Sequence, residues 1–156
     1  MSIGAVLIFI FVIPKDSSTT LKILIPVDHS PDPQIAVDGA VSIAQTLECQ
    51  ELIFTLLHVG EEDRFPNVIT PQRNIWQWKK TYGHGNVEQQ ILQAADECRS
   101  DLFVMATQGH HGFLDALRGS TTERIVRNSK CPVLAVPAYR NEEPSSQDSV
   151  VRRPAV

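Results

Sequence analysis

The segment from Asp101 to Pro137 constrains the fold more than any other part of the sequence. An apolar run, Leu102–Ala106, is followed by a loop that contains Gly109 and Gly119, and a helix start follows at Ser120. A second short apolar run closes the segment. Strand, loop, helix and strand in this order make a crossover unit with parallel strands, so the segment predicts an α/β fold.

The junction between the loop and the helix suits an anion. The first N–H groups of a helix have no partner inside it and carry the positive end of its dipole. Gly109 and Gly119 lack a Cβ, so the loop can approach a phosphate, and the hydroxyls of the three residues after Gly119 add donors. The sequence Ser120–Glu123 also fits a capping box, which explains these residues without a ligand. Both interpretations stay open at this point.

Three stretches of the chain resemble the universal stress protein family. The spacing Ala106-x2-Gly109-x9-Gly119-Ser120 is similar to that family's nucleotide-binding signature, in which glycines and a Ser or Thr hold ATP. The sequences LKILIPVDHS and CPVLAVP are similar to the front and the end of the family's domain. The resemblance covers Leu21–Tyr139 and departs at Ala106, where the family's ATP binders usually have glycine.

The resemblance implies the positions of a nucleotide site. It puts Pro26 and Asp28 near the adenosine and Val59 beside the base. The residues that it puts along the ribose and the phosphates are Met105, Ala106, Gln108, Gly109, Gly119, Ser120, Thr121 and Thr122. The implied ligand is ATP, with or without Mg²⁺, and the methyl group of Ala106 either crowds it or turns into the sheet. For Asp28 a second interpretation stays open, in which Asp28 or Ser30 caps the next helix.

Apolar runs typical of strands alternate with helical periodicity along the chain. The predicted strands are Leu21–Val27, Leu52–Val59, Ile75–Tyr82, Asp101–Ala106 and Val133–Val136. The predicted helices are Gln34–Leu47, Val87–Cys98 with Asn86 as N-cap, and Ser120–Ser129. This alternation predicts an α/β domain with an open, doubly wound and mostly parallel sheet. The resemblance implies five strands in the order 3-2-1-4-5, as in adenine nucleotide alpha hydrolase-like folds.

The crossover between the second and third predicted strands is short. Residues 60–74 are polar, contain Pro66 and Pro71 and show no sustained helical period, whereas most members of the family carry a long helix here. We therefore expect this face of the sheet to be partly open. Trp76 and Trp78 lie on one side of the third predicted strand, where they either pack against a neighbouring element or stack a base.

Two terminal segments flank the domain, which gives the predicted boundaries 1–20, 21–139 and 140–156. Residues 3–13 form an apolar run that is too short to cross a membrane, since a bilayer core needs about 20 apolar residues. The run also lacks the flanking residues of a signal peptide. We expect an extra strand and linker, similar to the end of a preceding domain in tandem members of the family. The composition of residues 141–156 predicts a disordered tail.

Composition limits the classes of function. A chain of 156 residues with 42% hydrophobic residues suits one globular domain, and a net charge of −4 argues against nucleic acid as a partner. Cys49, Cys98 and Cys131 are widely spaced, which predicts buried thiols in a reducing compartment rather than disulfides or a zinc site. His58 lies inside a predicted strand, and we expect it to be a hydrogen-bonded core residue.

The sequence offers no catalytic constellation. It has no Ser–His–Asp set with supporting motifs, no paired carboxylates in a credible site and no Walker-type lysine, and His110 and His111 have no companions at metal-ligand spacing.

The resemblance implies a cytoplasmic stress-response regulator or sensor that binds an adenine nucleotide and forms a homodimer through its C-terminal strand, with neither nucleic acid nor a membrane as a partner. The alternative is a nucleotide-free dimeric interaction module of the same fold. A third interpretation is slow ATP hydrolysis or self-phosphorylation.

Overall fold

A computed structural model describes residues 20–29, 32–47, 49–108 and 120–138. The predictions about the N-terminal run, the loop from Gly109 to Gly119 and the tail lie outside these residues. The strands are β1 (Thr20–Pro26), β2 (Glu51–Val59), β3 (Trp76–Gly83), β4 (Leu102–Gln108) and β5 (Val133–Ala138). The α-helices of the described residues are α1 (Pro33–Ala44), α2 (Val87–Cys98) and α3 (Ser120–Asn128).

The five strands form one parallel sheet in the order β3-β2-β1-β4-β5, which confirms the predicted fold class and strand order. The chain moves outward from β1 through β2 to β3 and then returns to the other side of β1 for β4 and β5. This reversal makes the gap between β1 and β4 a topological switch point. In open α/β sheets, ligands bind outside the carboxyl ends of the strands at such a point.

The first core lies between α1 and one face of the sheet. Side chains alternate between the two faces along each strand, so residues two apart point to the same side. The buried residues that the strands, and Val27 directly after β1, give to this core are Leu21, Ile23, Ile25, Val27, Leu52, Phe54, Leu56, Trp76, Leu102, Val104 and Leu134. The helix side is built largely from alanine, and a Cβ on Gly39 would lie 2.6 Å from Val136 Cγ2. Small residues therefore allow α1 to approach the sheet closely.

The second core lies on the opposite face, under α2 and α3. It is formed by Leu24, Leu57, Ile91, Ala94, Phe103, Met105 and Ile125. At roughly 25 cal/mol per Å² of buried apolar surface, the two cores supply the main driving force that holds the helices on the sheet. Both faces of the sheet are thus covered by helices, as the doubly wound architecture requires.

Asp32 is the N-cap of α1. Its Oδ1 accepts a hydrogen bond from Gln34 N at 2.9 Å, and Pro33 occupies the first helical position, where its fixed φ suits a helix start. The interpretation in which Asp28 caps this helix is therefore wrong, and Ser30 lies outside the described residues.

The remaining helix limits differ little from the predicted ones. Asn86 caps α2 as predicted, because its Oδ1 accepts a hydrogen bond from Gln89 N at 3.0 Å. The turn before it contains Gly85 with φ of 93°, a conformation that favours glycine. At the end of α1, Thr46 Oγ1 donates to Ile43 O at 2.7 Å in a turn that follows Ala44.

The crossover between β2 and β3 contains no α-helix, as predicted, but its irregular loop covers most of the face that we expected to be open. Pro66 is fully buried, while Phe65 and Val68 pack against the first core. A short 3-10 turn, Glu62–Arg64, precedes them. Ile69 of this loop is exposed, but Phe65, Pro66 and Val68 cover the sheet face beside it. The expectation that this face is partly open is therefore wrong.

The two tryptophans of β3 pack against neighbouring elements, Trp76 buried and Trp78 half-buried, which confirms the first of the two interpretations given for them. The Trp78 ring stacks on Phe54 with a centroid distance of 4.2 Å, and Trp78 Nε1 donates to Pro71 O at 2.9 Å. Trp76 is 6% exposed. β3 is an edge strand of the sheet with exposed lysines, so the tryptophans fasten the crossover loop to this edge.

Candidate functional site

The candidate site lies at the carboxyl edge of the sheet, where β1 and β4 end at the switch point. Pro26 is the last residue of β1, and Gln108 is the last residue of β4. Asp28 follows β1 by two residues and is exposed. Val59 ends β2, the strand next to β1 on the other side. The fold thus brings four of the predicted residues to one edge of the sheet.

Three of the predicted residues also share one face. Pro26 lies two residues after Leu24, Val59 two residues after Leu57, and Met105 two residues after Phe103. Leu24, Leu57 and Phe103 all belong to the second core. Met105 belongs to that core itself, and Val59 packs against it. The face that α2 and α3 cover therefore carries a row of apolar side chains from three strands, at the carboxyl edge of the sheet. A flat apolar row of this kind suits the ring of a nucleobase.

Ala106 points to the opposite face. It packs, partly buried, against the first core on the α1 side, next to the positions of Val104 and Val136. Its methyl group is therefore turned into the sheet, away from Pro26, Val59 and Met105. Of the two alternatives that the sequence left open for this methyl group, the structure selects the second.

Asp28 is free of the capping role, because Asp32 caps α1. Its Oδ1 accepts a hydrogen bond from the backbone N–H of His29 at 2.7 Å. His29 Nε2 in turn donates to Arg64 O at 2.9 Å, which ties the crossover loop to the end of β1. The exposed carboxylate thus lies just beyond the end of β1, where it can accept hydrogen bonds from a ligand.

His58 is a structural residue, as predicted. It is 4% exposed, and its Nδ1 donates to Val27 O at 3.1 Å. The ring contacts Phe65 edge-on with a centroid distance of 5.8 Å, and a Cβ on Gly60 would lie 2.7 Å from its Nε2. His58 therefore fixes the geometry of the strand ends that carry Asp28 and Val59.

The first turn of α3 faces the same edge, since α3 starts there and packs on the second core through Ile125. Thr121 is exposed and Thr122 is half-buried. Glu123 Oε1 lies 2.7 Å from Arg127 Nη2, so at least one of its oxygens is engaged one turn further along. The start of α3 at Ser120 confirms the predicted helix start, while the glycines Gly109 and Gly119 lie outside the described residues.

A cationic side chain lies one turn into α3. Arg124 Nη1 is 3.6 Å from Glu88 Oε2 in the first turn of α2, and Asn128 Nδ2 donates to the other oxygen of Glu88 at 3.4 Å. The first turn of α2 is therefore joined to the middle and the end of α3, and both helices begin at the carboxyl edge of the sheet. The positive ends of both helix dipoles point to this edge, which favours a negatively charged ligand there.

Sequence reasoning missed Thr107. This residue is 3% exposed, and its hydroxyl has no hydrogen-bond partner in the part of the chain that the structure describes. Alternation along β4 puts it on the same face as Phe103 and Met105. A threonine in a strand is common, so only its burial beside the candidate site draws attention to it.

A cavity of about 240 Å³ lies at the opposite, amino-terminal edge of the sheet and contains none of the predicted residues. Ser100, Lys130 and Cys131 are among the residues that line it. Burial raises the pKa of the Cys131 thiol, although a hydrogen bond from Ser129 acts against this shift. Burial also raises the pKa of Cys49. The three cysteines are free but only partly buried, which corrects the prediction of buried thiols.

Comparisons with known proteins identify relatives of this chain. Residues 75–137 match the model of the universal stress protein family. Universal stress protein A homolog 1 of Coxiella burnetii is 27% identical over 124 residues, which cover 80% of each chain. A universal stress protein of Methanocaldococcus jannaschii is 40% identical over 53 residues, which are 34% of this chain and 31% of that protein.

Solved structures of the same fold extend the comparison. The protein UspA of Lactobacillus plantarum superposes with a TM-score of 0.55 at 23% identity, over 74% of this chain and 97% of its own. A universal stress protein family protein of Arabidopsis thaliana, solved with AMP bound, gives a TM-score of 0.51 at 16% identity, over 81% of this chain and 97% of its own. No helix within the described ranges is long and apolar enough to cross a membrane.

Proposed function

We propose that this chain, which carries a domain of the universal stress protein family, binds an adenine nucleotide in the crevice at the carboxyl edge of its sheet. One observation carries the proposal: Pro26, Val59 and Met105, from three different strands, share the face on which α3 packs. A base that lies against this apolar row has its phosphates directed to the first turn of α3. The sequence signature and the fold thus support the same ligand.

The adenosine end of the ligand is held by β1 and β2. Val59 and Pro26 offer apolar contact to the base, and Asp28 accepts hydrogen bonds from its amino group or from the ribose hydroxyls. A carboxylate at the switch point suits this task, because ribose and adenine both present donors. The fold relative from Arabidopsis thaliana carries AMP, which supports an adenine nucleotide as the ligand class.

The phosphate end of the ligand lies at the start of α3. Unpaired N–H groups and the helix dipole attract the phosphates, with further donors from the hydroxyls of Ser120, Thr121 and Thr122. The family signature adds Gln108, Gly109 and Gly119 to this end. Ala106 does not interfere, since its methyl group lies on the other face of β4. ATP, with or without Mg²⁺, is the nucleotide that we assign to this site.

In the cell we assign the protein to the cytoplasm as a regulator or sensor in the stress response, rather than as an enzyme. We also propose a homodimer in which the β5 strands of two copies meet about a two-fold axis. β5 is an apolar edge strand of the described sheet, and such an edge favours pairing with a second copy. Regulation by nucleotide then requires that ATP binding change the surface that the dimer presents to a partner protein.

Titration with ATP tests the proposed site. ATP should stabilise the protein by about 2.7 kcal/mol at roughly a hundredfold excess over its Kd, and adenosine should bind more weakly because it lacks the phosphates. Gly119→Val should abolish the effect of ATP by filling the phosphate path. Asp28→Asn should weaken ATP and adenosine alike, by roughly tenfold, since it replaces a charged acceptor.

Asp63→Asn is the matched control for Asp28→Asn, because Asp63 is an exposed carboxylate in the crossover loop outside the predicted site. It should leave both affinities unchanged. Isothermal calorimetry and thermal unfolding of the unmodified protein decide the matter. If millimolar ATP with magnesium gives no heat of binding and no shift in the unfolding temperature, the chain has no nucleotide site. The function is then that of the nucleotide-free dimeric interaction module.

A further inference from the structure

Thr107 carries a buried hydroxyl that the described fold leaves without a partner. The residue is 3% exposed, and among the described residues its Oγ1 atom has no hydrogen-bond partner. Buried polar groups in proteins are almost always paired, because an unpaired group gives up its bonds to water without replacement. An unpaired buried hydroxyl beside a candidate site therefore points to a ligand atom as its partner.

The position of Thr107 narrows the choice of ligand atom. It is the penultimate residue of β4, on the same face as Met105 and two residues closer to the edge. The β1–β4 pairing ends at Leu24 and Phe103, and Asp28 and Thr107 each follow that pair by four residues toward the carboxyl edge of the sheet. The hydroxyl thus lies beyond the apolar row that suits the base, on the side from which α3 begins.

We propose that the Thr107 hydroxyl donates a hydrogen bond to a phosphate oxygen of the bound nucleotide, a step that rests on the proposed function. A hydroxyl can turn its proton toward any acceptor within reach. Phosphate oxygens are negatively charged acceptors, and bonds to charged groups are stronger than bonds between neutral groups. Thr107 then selects nucleotides over nucleosides, and it adds a residue to the binding set that the family signature does not include.

This assignment explains why a threonine stands where valine would pack as well. Thr and Val have nearly the same shape, and the other inward-facing residues of β4 on this face are apolar. Because the described residues leave the buried hydroxyl without a partner, its desolvation lowers the stability of the ligand-free protein. A binding group of this kind lowers stability for the sake of function, so removing it should move stability and affinity in opposite directions.

The test compares three variants of the full chain. Thr107→Val should raise the melting temperature of the ligand-free protein and weaken the binding of ATP and AMP by roughly tenfold to a hundredfold, while adenosine binds as before. Thr107→Ser keeps the hydroxyl and should retain affinity for ATP. Ser100→Ala is the matched control, because Ser100 Oγ is the other buried hydroxyl without a described partner and lies at the opposite edge. It should raise the melting temperature and leave ATP binding unchanged.

The outcomes separate this inference from the proposed function. If the unmodified protein binds ATP and Thr107→Val binds it equally well, Thr107 does not contact the phosphates, and the proposed site stands without it. If Thr107→Val lowers the melting temperature of the ligand-free protein, the hydroxyl has a partner within the protein, and the inference is overturned. If the unmodified protein binds no nucleotide, both proposals are removed.

Discussion

At the scale of single residues, the methyl group of Ala106 determines whether the departure from the family signature matters. The family usually has glycine at this position, and a Cβ pointing at the ligand would explain that preference. In this chain the Cβ packs against the first core on the α1 side of β4. A methyl group on that side adds apolar contact and leaves the face with Pro26, Val59 and Met105 unchanged.

We therefore predict that Ala106→Gly destabilises the protein without improving nucleotide binding. Glycine in a strand interior costs about 0.5–1 kcal/mol relative to alanine, and the lost methyl contact adds to this cost. The Kd for ATP, measured by calorimetry, should stay within error of the unmodified value. Ala135→Gly in β5 is the matched control for the loss of stability. An Ala106→Gly protein that binds ATP more tightly would show that the methyl group does crowd the ligand.

Residue-level chemistry explains which candidate site residues stand out in the sequence. Gly119 and Ser120 stand out in the sequence because a glycine and a hydroxyl at a strand-to-helix junction are typical of anion-binding sites. The role of Asp28 stayed open, since both Pro31 and Pro33 are compatible with a helix start nearby. The structure assigns the cap to Asp32, directly before Pro33. Thr107 could not be found from the sequence at all, because its significance lies in its burial and its missing partner.

At the scale of elements, the crossover between β2 and β3 shows how a loop can take the place of a helix. Gln34 in the first turn of α1 binds the loop twice, because its Oε1 accepts from Ile69 N at 2.8 Å and its Nε2 donates to Ile69 O at 3.1 Å. Trp78 holds the loop at Pro71. Sequence patterns correctly excluded a helix here, but long-range hydrogen bonds that cover a sheet face leave no periodic signal in a sequence.

We predict that Gln34→Ala loosens this loop while α1 stays folded. Alanine is the better helix former, so local unfolding of the loop reports only the lost hydrogen bonds. The amide of Ile69 should exchange with deuterium roughly twofold to tenfold faster, as expected for the loss of partly exposed hydrogen bonds. Gln45→Ala, at the other end of the same helix, is the control. Unchanged exchange at Ile69 would show that Trp78 and Pro66 hold the loop by themselves.

At the scale of the whole molecule, the fold class was predictable because alternating strands and helices leave few ways to cover a parallel sheet. The order of the strands came from the family resemblance, since periodicity does not specify which strands are neighbours. The two edges of the sheet differ in chemistry. β3 presents the exposed lysines Lys79 and Lys80, which discourage pairing, whereas β5 is apolar. A further strand or a second copy is therefore expected at β5.

The apolar run of residues 3–13 lies outside the described residues, and we propose that it docks as an extra strand. Six residues, 14–19, connect it to β1. Fully extended, they span roughly 20 Å, and a position beyond either edge strand is about 14 Å from β1 at three strand spacings. The run can therefore reach an edge of its own sheet, or that of a partner in the proposed dimer.

Comparing the full chain with a chain that begins at Thr20 tests both parts of this assembly. The full chain should scatter light as a dimer at micromolar concentration, because pairing of two β5 edges buries apolar surface that is otherwise in water. Without residues 1–19 the sheet edge on which this run docks is exposed, so the shortened chain should unfold at a lower temperature and form larger aggregates. A monomeric full chain would contradict the dimer through β5. A shortened chain as soluble and stable as the full one would contradict docking of the N-terminal run. In that case the run would not have covered an edge of the sheet in the full chain.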